Sequence, residues 1–333
     1  MILSRAPLRI TLGGGGTDIP SYYEKRCGFT ITGAINKYVF VGAYEQFYPT
    51  ISLKYSKIEN VKRVDEIQHP LIREALRETN ISNKIEITSL ADVPSGTGLG
   101  SSGAFLVTLL NTLYAYKGLK RHKRELADLA CRIELDKLKL HEGKQDKYAC
   151  ALGGIKMIEY LPNGLVSVMS FPDEDNLQSE LKEKLMLFYT GKERSGTASD
   201  ALKYQDEQCK INNNDMLAYL DEIKIIGYKT KQAFLSRNLD AFGKLLNKHW
   251  EIKKQYSPMA TNDEANKCYR IALDNGALGG KIMGAGNGGF FMFYHSGSLT
   301  ERWEFERIMA DYDLIKMSFD FDNVGVTTIF SGC

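Results

Sequence analysis

The run Val93-Pro94-Ser95-Gly96-Thr97-Gly98-Leu99-Gly100-Ser101-Ser102-Gly103-Ala104 constrains this chain more than any other segment, because it crowds glycines and hydroxyls directly before a long apolar stretch. Glycine lets the backbone turn through φ > 0 and come close to a ligand, so successive N–H groups can converge on one anion. Residues 101–116 are apolar nearly all round, as a buried helix is, and Gly118 closes them. The positive end of a helix dipole then falls at the same spot. The run therefore reads as a phosphate cradle made of Pro94, Ser95, Gly96, Thr97, Gly98, Leu99, Gly100, Ser101, Ser102 and Gly103. No lysine precedes Ser101 in the spacing of a Walker loop, so the cradle is of another kind. Taken alone, the run also fits a glycine-rich turn with a serine helix cap.

Two further segments bear on that choice. Ser4-Arg5-Ala6-Pro7-Leu8-Arg9-Ile10-Thr11-Leu12-Gly13-Gly14-Gly15-Gly16-Thr17-Asp18 stands near the start, and Lys281-Ile282-Met283-Gly284-Ala285-Gly286-Asn287-Gly288-Gly289 near the end. In order, the three segments resemble the three motifs of the GHMP kinases, the superfamily of galactokinase, homoserine kinase, mevalonate kinase and phosphomevalonate kinase. The resemblance spans nearly the whole chain and is most specific in the middle motif. The first motif points further, to the sugar-kinase branch that includes heptose 7-phosphate kinase. It implies an α+β, two-domain fold, with a mixed-sheet α/β N-terminal domain and a ferredoxin-like C-terminal domain.

Local patterning agrees. Leu8 to Leu12, Tyr38 to Tyr44 and Lys84 to Leu90 read as strands of one sheet, and Arg124 to Glu142 as an amphipathic helix ending at Gly143. Ile155 to Tyr160 and Val166 to Ser170 make a hairpin around an Asn-Gly turn. The acidic stretch Pro172-Asp173-Glu174-Asp175-Asn176 reads as a linker, dividing an ATP-binding domain (1–175) from a C-terminal domain (176–333), or else as a surface loop. Beyond it, Leu185 to Tyr189, Phe290 to Tyr294 and Val324 to Phe330 read as strands, and 215–235, 239–255 and Thr300 to Tyr312 as helices. With 333 residues the chain is long enough for two domains. Lys+Arg 43 against Asp+Glu 41 leaves net +2, too balanced to suggest a nucleic-acid or membrane partner. The six cysteines show no paired spacing, so neither zinc nor a disulfide framework is expected. Without a leader or a spanning apolar run, the chain is expected in the cytoplasm.

Phosphoryl transfer needs a phosphate cradle, a divalent cation, a group that handles the acceptor proton and a cation near the moving charge. The resemblance implies ATP and Mg²⁺ as cofactors, with Ser101 or Ser102 and Glu134 as metal ligands. Ser101 and Glu134 are the residues assigned here, although Glu134 also reads as a solvated helix-face carboxylate. Asp146, in Gly143-Lys144-Gln145-Asp146-Lys147, matches the family's catalytic aspartate, against the plainer reading of a turn or helix-capping residue. The family often has glutamine where Lys147 stands. Arg9 matches the basic residue of the first motif and would neutralise charge on the transferring group, or else is a surface arginine.

Gly14, Gly15, Gly16, Thr17 and Asp18 are expected to hold the acceptor. Galactokinase-like chains carry Glu-His before their Thr-Asp-Tyr stretch, whereas four glycines precede Thr17 here, which argues against galactose and leaves N–H groups for an anionic substrate. Arg194, in the loop after a predicted strand, is expected to meet a phosphate on the sugar, or else is a solvated cation. The glycines of 284–289 should pack closely against the nucleotide loop, or else form a tight turn. The resulting expectation is an ATP- and Mg²⁺-dependent kinase of the heptose 7-phosphate type acting on the anomeric hydroxyl. The alternatives are another GHMP kinase (fucose, galactose or mevalonate type) and a non-catalytic nucleotide or sugar sensor.

Overall fold

A computed structural model describes residues 1–172, 174–191, 198–257, 259–286 and 288–332. The first part of the chain runs β1 (Ile2–Gly13), α1 (Pro20–Arg26), β2 (Gly28–Glu45), β3 (Ile51–Lys54), β4 (Ile58–Val61), α2 (Pro70–Thr79), β5 (Ile85–Ala91) and α3 (Ser101–Tyr116). It continues through α4 (Lys123–Cys131), α5 (Gln145–Leu152), β6 (Ile155–Tyr160), β7 (Val166–Ser170), α6 (Glu174–Lys184) and β8 (Leu185–Tyr189). Next come α7 (Ala198–Lys210), α8 (Asn214–Leu235), α9 (Leu239–Tyr256) and α10 (Asp263–Asp274). The last elements are β9 (Ala277–Ile282), β10 (Phe290–His295), α11 (Leu299–Ala310), β11 (Ile315–Met317) and β12 (Thr327–Ser331).

The described residues form two sheets. In the first, β2 is long enough to serve two neighbours: its first third pairs with β6 and its last third with β5, while β1 runs antiparallel along its other edge. The parallel pairing of β3 with β5 makes this sheet mixed. In the second, β11-β8-β10-β9, every pairing is antiparallel. Its strands follow a β-α-β-β-α-β course with the last strand beside the first and the third between first and second, the ferredoxin-like arrangement. The expected two-part α+β fold is therefore present.

Helix α3 spans the residues expected of it and is buried as its composition requires, with Leu106, Val107, Leu109, Leu110 and Leu113 closed off against β1, β2 and α5. The cores of the two parts are continuous, since Phe234, Phe242 and Leu246 of α8 and α9 and Met292 of β10 share one cluster with Leu8 and Ile10 of β1.

Three expectations change. The helix foreseen over 124–142 is α-helical only to Cys131. Arg132–Lys137 is a π-helical turn, closed by Leu138 N–H donating to Ile133 O at 3.0 Å, and the wider turn carries Glu134 inward. The acidic stretch foreseen as a linker runs into α6, which begins at Glu174. The last strand, β12, returns to pair with β1 in the first sheet, so sheet membership does not follow a single cut after residue 175. No helix among the described residues is long and apolar enough to cross a membrane.

Candidate active site

The glycine run leaves β5 and bends over the end of β1. Gly98 and Gly100 take φ of +89° and +77°, which few other residues tolerate, and buried Leu99 pins the loop while its carbonyl accepts Arg9 N–H at 2.9 Å. The cap of α3 is Gly100, not a serine, so the cap offers no side chain to its first-turn N–H groups. Gly96, Gly98, Gly100, Ser101 and Ser102 all line the cleft, the placement that an anion site at a helix start requires.

Arg9 and Asp146 meet at this point. Arg9 Nε donates to Asp146 Oδ1 at 2.5 Å and Nη1 to Gly98 O at 2.6 Å, which ties the strand, the glycine loop and the first turn of α5 together. Burial works against the Arg9 charge, but Asp146 more than offsets it, and its pKa is raised. Arg9 is 5 % exposed, which excludes a surface arginine. Gly103 is needed for close approach: a Cβ there would lie 2.8 Å from that of Asp146.

The acceptor motif divides. Gly15, Gly16 and Asp18 line the cleft. Gly14 and Thr17, expected to hold substrate, sit behind it: the Thr17 hydroxyl donates to Gly14 O and accepts from Phe29 N–H, and a Cβ on Gly14 would fall 1.9 Å from Phe29 O. Asp18 works mainly as an anchor, accepting from Gln145 N–H at 3.0 Å and from Gln145 Nε2 at 3.2 Å, which fixes the start of α5 and so Asp146. Burial raises the Asp18 pKa.

Ser102, rather than Ser101, brings its hydroxyl to Glu134, donating to Oε1 at 3.2 Å. Glu134 is fully buried, so it is no solvated helix-face carboxylate, and its other oxygen pairs with the ammonium of Lys147. Lys147 also donates to Gly143 O at 2.9 Å, and it stays charged against burial because Glu134 and Glu142 surround it. Glu142, on the cleft wall, is pushed up to about 7 by burial. No cluster of three or more His, Cys, Asp or Glu among the described residues forms a metal cage. A hydroxyl and one carboxylate beside a phosphate cradle fit Mg²⁺, which keeps most of its shell as water and phosphate oxygen.

The third motif closes the site from the other sheet. Gly289, at φ +88°, approaches so closely that a Cβ would lie 2.3 Å from Thr97 O, and Phe290 N–H donates to that same carbonyl at 3.3 Å. The cleft is also lined by residues with no role foreseen from the sequence: Gln205 of α7, His249, Lys253 and Tyr256 of α9, and Lys281 of β9, which opens the third motif segment. The available signal was His249, Lys253 and Tyr256 recurring at helical spacing among core residues such as Leu246 and Trp250. Arg194 lies outside the described residues.

Residues 66–154 match the GHMP kinases N terminal domain and 230–298 the GHMP kinases C terminal. A D-glycero-alpha-D-manno-heptose 7-phosphate kinase of Campylobacter jejuni is 30% identical over 305 residues, covering 88% of this chain and 89% of that protein. The chain belongs to the GHMP kinases. This GHMP kinase is accordingly an ATP-dependent phosphotransferase. It is also similar to the crystal structure of a D-glycero-D-manno-heptose 1-phosphate kinase from Bacteroides thetaiotaomicron, with TM-score 0.80 and 26% identity over 100% of both chains. A further similarity, at 27% identity, is to the L-fucokinase/L-fucose-1-P guanylyltransferase of Bacteroides fragilis, covering 87% of this GHMP kinase and 34% of that longer protein.

Proposed function

We propose that this GHMP kinase transfers the γ-phosphoryl group of ATP to the anomeric C1 hydroxyl of D-glycero-D-manno-heptose 7-phosphate. The product would be heptose 1,7-bisphosphate, for nucleotide-activated heptose and surface polysaccharide. The observation that carries this reading is the Arg9–Asp146 pair, held between the glycine loop and the acceptor motif. A hydroxyl placed near Gly15 and Gly16 would give its proton to the Asp146 carboxylate, or be oriented by it, as the oxygen attacks phosphorus. Arg9 and the N–H groups at the start of α3 would offset charge on the transferring group. Ser102 and Glu134 would hold Mg²⁺, which supplies charge neutralisation on the nucleotide phosphates when bound. The acceptor is inferred from two relatives whose names each carry a phosphorylated heptose, and from a glycine-rich acceptor loop with room for a large anionic sugar.

ADP release measured with heptose 7-phosphate, unphosphorylated heptose, fucose, galactose and mevalonate tests the reading. The highest kcat/KM is expected with heptose 7-phosphate. Faster turnover of a neutral sugar would replace the substrate assignment, and binding without turnover of any of them would make the chain a sensor.

A further inference from the structure

The cleft wall opposite the glycine loop carries more positive charge than the transfer of one phosphoryl group requires. His249 and Lys253 stand one turn apart on α9, and Lys281 lies near the end of β9. All three face the cleft, yet Lys281 is only 3 % exposed. Among the described residues its ammonium has no carboxylate and no hydrogen-bond acceptor. After burial itself, the influences on it are Lys253 and Arg9, both cationic, and those on His249 are Lys281 and Lys253. A buried ammonium without a counter-charge opposes folding, and a chain that keeps one beside a cleft has a place there for an anion.

The nucleotide phosphates already have the start of α3 and Arg9. The face of α9 that carries His249 and Lys253 continues to Tyr256, whose hydroxyl lies 3.6 Å from where a Cβ on Gly16 would be, and Gln205 Nε2 donates to Gly16 O at 2.7 Å. This wall therefore borders the acceptor loop. Lys253 also donates to Gly284 O, which steadies the third motif beside Lys281.

We propose that Lys281, Lys253 and His249 form the seat for the phosphate that the acceptor carries before the reaction, an inference that rests on the phosphorylated-sugar reading above. A dianionic phosphate there supplies the counter-charge that Lys281 lacks and places the far end of the sugar on the C-terminal wall, leaving its anomeric end toward Asp146.

The test compares wild type with Lys281→Met and Lys253→Met. With the donor site filled by Mg²⁺ and a non-hydrolysable ATP analogue, inorganic phosphate is titrated and followed by the fluorescence of Trp250, next to His249. Saturable binding is expected in wild type and at least tenfold weaker binding in Lys281→Met. In steady state, kcat/KM for heptose 7-phosphate should fall about tenfold to a hundredfold in Lys281→Met, with a much smaller change for unphosphorylated heptose. Lys281→Met should melt no lower than wild type, because it removes a buried amine whose charged form burial and the neighbouring cations disfavour, so the loss is not one of folding. Equal losses on both acceptors would put Lys281 on the transferred phosphate and overturn the proposal, as would no loss on either. If wild type shows no preference for the phosphorylated sugar while Lys281→Met still loses phosphate binding, the seat stands and the heptose 7-phosphate reading falls. If the preference persists undiminished in Lys281→Met, the reading stands and the seat falls.

Discussion

Asp146 has little freedom: Arg9 holds one oxygen, Gly103 presses on its Cβ, and Asp18 fixes the backbone one residue before it. Asparagine keeps an oxygen that can accept from Arg9, so the tie through Arg9 to the glycine loop can survive the change. Asp146→Asn should lower kcat by roughly 10²–10⁴-fold, the range for loss of a general base, with nucleotide affinity little changed. Steady-state kinetics with calorimetric nucleotide binding checks this, and turnover within a few-fold of wild type removes Asp146 from the chemistry. His249 gives a prediction about pH. Burial, reinforced by Lys281 and Lys253, lowers its pKa well below 6.5, so the folded protein refuses a proton that the unfolded chain accepts. The unfolded state therefore gains protons first, and stability present at neutral pH is lost as pH falls through 6.5. Denaturant unfolding at about pH 7.5 and 5.5 should show that His249→Gln loses correspondingly less between the two, and equal losses would mean that His249 is not the group responsible.

Helix α3 shows an element whose limits were legible while its contacts were not. The apolar run and its glycine borders mark Ser101–Tyr116. That its third residue must be glycine follows only from α5, which brings Asp146 against it. Alanine is the better helix former by about 0.8–1.0 kcal/mol, so helix propensity alone favours Gly103→Ala. The 2.8 Å overlap with the Asp146 Cβ predicts the opposite. The variant should be no more stable than wild type and should lose at least about tenfold in kcat, because a shift of about 1 Å at a reacting group is costly. A stabilised variant with full activity would show that α3 does not position Asp146. The π-helical turn at Arg132–Lys137 makes the same point, since the amphipathic repeat runs through it and the inward turn of Glu134 depends on buried Lys147, a partner thirteen residues on.

At the scale of the whole molecule the two sheets do not fold from separate halves of the chain. Residues near the C-terminus complete the first sheet: β12 pairs with β1, Val326 N–H donates to Ala151 O, and Phe319, Phe321 and Val326 sit in the core with Leu8 and Ile10. A fragment of residues 1–175 is therefore expected to lack cooperative unfolding and amide-exchange protection in β1. A fragment with a sharp thermal transition and protected amides would instead make the first part an independent domain. The sequence by itself determined the phosphate loop, the positions of most strands and long helices, and through its three motifs the kinase fold, because these are written in local glycine placement and apolar period. It also singled out Arg9 and Asp146, which the structure brings together, and Glu134, which meets Ser102. Only the tertiary structure decided that Ser102 rather than Ser101 meets Glu134, that Thr17 and Gly14 stand behind the cleft, and that Lys281, Lys253 and His249 form its far wall. Each of those depends on which residues distant in the chain share a buried space, and hydrogen bonding and charge at such distances leave no period in the sequence to read.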